Sequence, residues 1–109
     1  MAIDVTGDNF EKEVIQSEIP VVIDFWGPRC GPCLALMPHV EKLETVHGEK
    51  VKFTKVDSSK NRRLSLNLKV MSLPTFLFYK KGSEVERLTG NIQIEEIKHV
   101  VERLINNTE

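Results

Sequence analysis

Positions 21–26 read Val-Val-Ile-Asp-Phe-Trp, apolar on both alternating faces except at Asp24. That pattern predicts a central strand of a sheet covered on both sides. Ahead of it, Asp8 followed by Glu11 resembles a capping box and predicts a short helix carrying Phe10, Val14 and Ile15, ended by Ile19–Pro20. After Gly27–Pro28–Arg29 a second helix is predicted over about 30–47, with Leu36, Met37, Val40 and Leu43 on one stripe and Gly48 closing it. Residues 51–57 predict a strand and 61–68 a short helix. Residues 75–79 and 84–88 flank Lys80-Lys81-Gly82-Ser83 and predict a β-hairpin. Ile94, Ile97, Val100, Val101, Leu104 and Ile105 recur at helical spacing and predict a terminal amphipathic helix. With a strand from the first few residues the order is βαβαβαββα. This is an α/β fold with a sheet covered on both faces and an antiparallel edge.

Composition narrows the class. The 109 residues suit one domain spanning 1–109, and 40% apolar with 28% charged content is that of a globular chain. Fifteen basic against sixteen acidic residues leave a net charge of −1, so no nucleic-acid partner is expected. The runs Lys60–Arg63 and Lys80–Lys81 read as solvated turns. Met1–Ala2–Ile3–Asp4 has neither a basic start nor an apolar stretch, so no signal peptide is expected. The longest apolar run, 21–26, is far below a membrane span. A cytoplasmic monomer without a membrane association is the expectation.

Only two cysteines occur, in Cys30–Gly31–Pro32–Cys33, where the central strand hands over to a helix. Three readings compete. A structural disulfide closing so short a loop restrains little of the unfolded chain, about 2 kcal/mol against nearly 5 for a loop of roughly a hundred residues. A zinc site needs about four ligands, and only His39, His47 and His99 are available to join the cysteines, without the close spacing of a zinc finger. The redox reading has a physical reason at each position. A thiolate attacks a disulfide, and unpaired N–H groups and the dipole at a helix N-terminus stabilise a thiolate. Cys30 lies at that terminus and is the expected nucleophile. Cys33, one turn inward, is placed to resolve the mixed disulfide. Pro32 suits the first turn, where its missing N–H costs nothing.

With these residues in view the chain resembles the thioredoxin family. Asp24–Phe25–Trp26, three residues, then Cys30–Gly31–Pro32–Cys33 is similar to the family's active-site signature. Leu73–Pro74–Thr75, Gly82 and Gly90 fall where the family carries a cis-proline and two glycines, and Pro38 where its long helix kinks. The resemblance spans about 4–105. It implies the thioredoxin fold, a central mixed five-stranded sheet covered by four helices, and a protein-disulfide reductase supplied with electrons by a thioredoxin reductase. Oxidised proteins are the implied substrates, and neither a metal nor an organic cofactor is implied, the redox group being the Cys30–Cys33 pair. A cis bond at Pro74 would expose the Leu73 backbone beside Cys30 to an extended substrate segment. Trp26, Arg29, Gly31, Pro32, Leu73, Pro74 and Gly90 are the implied substrate-facing residues.

Asp24 is either a strand-end carboxylate reaching solvent or a buried acid. Burial disfavours its charged form and would raise its pKa. The resemblance implies the second, with Asp24 moving the Cys33 proton. The lysine that the family often places near this acid falls at Phe53, with Lys55 two residues on, and its role is not carried over. The departure is Arg29, where the family usually has tryptophan. Its fixed charge beside Cys30 is expected to favour the thiolate. Two other functions stay open at this point: a thioredoxin-fold binding or assembly subunit acting independently of redox, and an oxidase or isomerase variant.

Overall fold

The structure is a computed structural model and describes residues 2–106. Its strands are β1 (Ile3–Asp4), β2 (Val21–Trp26), β3 (Lys52–Asp57), β4 (Thr75–Lys80) and β5 (Ser83–Thr89). Its α-helices are α1 (Gly31–His47), α2 (Arg62–Asn67) and α3 (Ile94–Asn106). One sheet joins all five strands in the order β1-β3-β2-β4-β5. The pairs β1·β3 and β2·β3 are parallel, and β2·β4 and β4·β5 are antiparallel. This is the mixed five-stranded sheet expected, in the expected order along the chain.

The fourth helical segment differs from expectation. Glu11–Ile15 is a π-helix, closed by the Gln16 N–H donating to the Glu11 carbonyl at 2.9 Å. No capping box forms. The Asp8 N–H donates to Thr6 Oγ1, and Asn9 rather than Asp8 accepts from the Thr6 N–H, so the polar residues of 6–9 are used in a local turn. The helical turn still buries Val14, one of the three residues the pattern selected, with Phe10 and Ile15 partly buried beside it.

Strand alternation sends the two halves of β2 to different cores. Val22 packs with Phe53, Phe76 and Phe78 against Val40 and Leu43 of α1 and Ile97, Val100 and Val101 of α3. Val21, Ile23 and Phe25 pack on the other face with Val5, Val14, Val56, Leu64 of α2, Leu77 and Tyr79. Phe25, Phe76 and Phe78 are wholly buried, each contributing about 2–3 kcal/mol of apolar burial. The hairpin closes through Lys81 and Gly82, both at positive φ (53° and 81°), as a two-residue turn matched to strand twist requires. Helix α1 runs on through Pro38, whose exposed ring removes one internal hydrogen bond. Among the described residues no helix is long and apolar enough to cross a membrane.

What this topology does for chemistry is bring loop ends together. β2 and β3 are parallel neighbours with Trp26 opposite Asp57. Their C-terminal ends therefore share one edge, and the loops that follow them, 27–30 and 58–61, lie side by side. β4 runs antiparallel to β2 with Thr75 opposite Phe25, which sets the segment before β4 at the same edge.

Candidate active site

Cys30 is the N-cap of α1. Its backbone is extended (φ −93°, ψ 98°), and its Sγ accepts a hydrogen bond from the Cys33 N–H at 3.2 Å. The sulfur thus occupies the place a serine or aspartate oxygen takes in an ordinary cap, satisfying one of the unpaired amides of the first turn. Gly31 and Pro32 form that turn and are exposed. Cys30 is partly exposed, whereas Cys33 is 1% exposed. The two sulfurs are joined in a disulfide. Among the described residues no three His, Cys, Asp or Glu side chains are grouped so as to hold a metal ion.

Asp24 lies on the same face of β2 as Val22, beneath α1, and is 6% exposed. The solvent-reaching alternative is therefore excluded. Its buried Oδ1 has no hydrogen-bond partner among the described residues. Burial pushes its pKa up to about 7, the attraction of Lys55 only partly opposing this. Lys55 is the β3 residue in register with Asp24, and its Nζ lies 4.0 Å from Asp4 Oδ1 on β1. A row Asp4–Lys55–Asp24 thus crosses three strands. Phe53, where the family's lysine falls by resemblance, is buried in the core.

The Leu73–Pro74 peptide bond is cis. Thr75 Oγ1 ties this segment down, donating to the Ser72 carbonyl at 2.8 Å, and the Gly90 N–H donates to the Pro74 carbonyl at 3.3 Å. Pro74 itself is buried and Leu73 half-buried, whereas Met71 and Ser72 before them and Gly90 after β5 are exposed. The Leu73 N–H and carbonyl have no hydrogen-bond partner among the described residues. Leu73 Cδ1 would stand 3.3 Å from a Cβ placed on Gly27. Glycine at 27 therefore lets Leu73 lie down on the strand that leads to Cys30. Trp26 is half-buried and its backbone carbonyl accepts from the Ser58 N–H.

A groove of about 730 Å³ opens beside Cys30, lined by Gly27, Pro28, Arg29, Leu73, Ser58, Ser59 and Arg62. The structure therefore gathers Cys30, Cys33, Arg29 and Leu73 at one edge. It adds Ser58 and Ser59, which residue type alone does not single out, and Arg62, which falls within the run 60–63 read as a solvated turn. Parallel pairing of the strands before the two loops is the signal that places them there.

A partly exposed sulfur capping a helix N-terminus, disulfide-bonded to a buried partner one turn on, with a cis-proline loop alongside, defines a thiol–disulfide oxidoreductase. Comparison with known proteins agrees. The thioredoxin family model matches residues 1–103. The chain is 48% identical over 82 residues to the thioredoxin of Acetoanaerobium sticklandii, covering 75% of this chain and 78% of that protein. It is 38% identical over 106 residues to the thioredoxin of Peptoclostridium acidaminophilum, covering 92% and 96%. To thioredoxin 1 of a Nostoc species it is 31% identical over 102 residues, covering 94% and 95%. The chain belongs to the thioredoxin family and is a protein-disulfide reductase.

Proposed function

We propose that the chain works as a cytoplasmic dithiol carrier, recharged by a thioredoxin reductase, with each site residue in a defined role. The Cys30 thiolate attacks one sulfur of a target disulfide. That S–S bond breaks, a mixed disulfide forms, and the other target sulfur leaves as a thiolate. Cys33 gives its proton to Asp24 and attacks Cys30 Sγ, so the Cys30–Cys33 disulfide closes and the second target thiolate is released. Two electrons pass to the target, and the protein is the reductant. No metal or organic cofactor takes part.

The observation that carries this reading is the cap, Cys33 N–H to Cys30 Sγ, because the same donor is available to a thiolate at that position. Asp24 supports it, since a carboxyl with a pKa near 7 can accept and return a proton at neutral pH. Substrates dock as extended segments on the unpaired Leu73 backbone, with Trp26, Gly31, Pro32 and Gly90 around them. Main-chain recognition of this kind tolerates many sequences.

Reduction of insulin, followed by precipitation of its released B chain, tests the proposal. The chain together with a thioredoxin reductase and that enzyme's electron donor is expected to give turnover, and omission of either protein to stop it. Turnover with dithiothreitol alone but with no reductase of the class would overturn the proposed recycling partner.

A further inference from the structure

The groove beside Cys30 has a charge that docking on the Leu73 main chain does not require. Arg29 and Arg62 both line it, and no carboxylate does. Neither guanidinium has a hydrogen bond or ion pair among the described residues, whereas Arg87 holds Glu84 at 2.7 Å and Arg103 holds Glu86 at 2.6 Å. The acid nearest Arg62 in sequence, Asp57, has Oδ1 accepting from the N–H and hydroxyl of Ser59, and the acid nearest Arg29, Asp24, is buried on β2. Two unmatched cations therefore face one cleft in a chain whose net charge is −1. A planar guanidinium fork matches a carboxylate better than any other common side chain.

We infer that this groove is a specificity subsite for an acidic side chain, so that protein disulfides flanked by Asp or Glu are reduced preferentially. The inference rests on the reading of Cys30 as the attacking sulfur. Leu73 belongs both to the groove and to the main-chain docking strip, so a polypeptide laid on that strip carries its residues beside the attacked cysteine into reach of Arg29 and Arg62. A small acidic disulfide has no such main chain to dock, and this makes a protein segment the occupant. Exposed ion pairs are individually weak and screened by salt, so the expected preference is about fivefold at low ionic strength.

The test uses the pre-reduced protein and three disulfide-linked peptides identical except for Glu, Gln or Lys beside the cysteine. The expected order of second-order rate constants is Glu, then Gln, then Lys, with the Glu/Gln ratio falling toward one in 1 M salt, where the screening length is about 3 Å. Arg62→Gln is expected to cut the Glu/Gln ratio to about twofold. Lys98→Gln on α3, which makes the same change in net charge away from the groove, is expected to leave that ratio in place. A wild-type ratio of one, a ratio that survives 1 M salt, or equal effects of the two variants would overturn the subsite. Failure to reduce even the Gln peptide would overturn the reading of Cys30 instead.

Discussion

Cys33→Ser is expected to yield a protein that attacks a target disulfide once and then stays covalently attached to it, while Cys30→Ser forms no adduct. Multiple-turnover reduction falls to background in both. The difference comes from position. Cys30 is partly exposed and caps the helix, and Cys33 is 1% exposed beneath the first turn. With serine at 33 the backbone N–H that points at Cys30 Sγ is retained, so attack proceeds and only resolution is lost. With serine at 30 the helix keeps one of the best N-cap residues, and its fold should lie within about 1 kcal/mol of the reduced wild type. The loss is then chemical. Mass spectrometry of non-reduced mixtures with an oxidised protein substrate checks this, and adducts on the Cys30→Ser variant would reverse the roles.

Asp24→Asn is expected to stabilise the oxidised protein at pH 8 by on the order of 4 kcal/mol while making resolution slower. A carboxyl with a pKa of about 7 in the folded state, against about 3.9 unfolded, is protonated when folded over a range where the unfolded chain has already lost the proton. Stability therefore falls as pH climbs from about 4 through about 7, and the cost is complete above that window. Asparagine fills the same site without titrating, so urea unfolding of the variant should be flat where the wild type declines. The gap between the two proteins should be small at pH 4 and large at pH 8. The kinetic cost is modest by comparison. Without an acceptor beside it the buried Cys33 thiol must lose its proton to solvent, so resolution is slowed by about tenfold or more. An equal stability gap at both pH values would contradict a buried, titrating Asp24.

The elements that position the chemistry were legible because each is marked by a sharp change in pattern. The β2 run ends at Gly27–Pro28, and Cys30 to Pro32 supply a cap and a first turn, so strand, handover and helix start emerge from residue type alone. The N-terminal helical turn was legible in its buried Val14 but not in its form. The Asp8-x-x-Glu11 spacing says nothing of the competing Thr6 hydroxyl that takes the Asp8 N–H. Two features needed the register between strands, and a third needed burial. Lys55 meets Asp24 because β2 and β3 pair at that pair of residues, a relation between elements 31 positions apart. Arg62 reaches the Cys30 groove because parallel strands deliver their following loops to one edge, which a local count of charges cannot reveal. Pro74, expected beside Leu73 on the substrate-facing surface, is buried, which residue type alone does not disclose.

In the reduced protein the first turn of α1 is expected to hold Cys30 Sγ as a thiolate while Cys33 remains a buried thiol. Alkylating the reduced protein with iodoacetamide across pH 5 to 9, and mapping the modified cysteine, measures it directly. Cys30 alone is expected to react, with a midpoint well below the ordinary thiol value of about 8.5. Preferential labelling of Cys33, or no labelling of Cys30 until that ordinary value is reached, would contradict it.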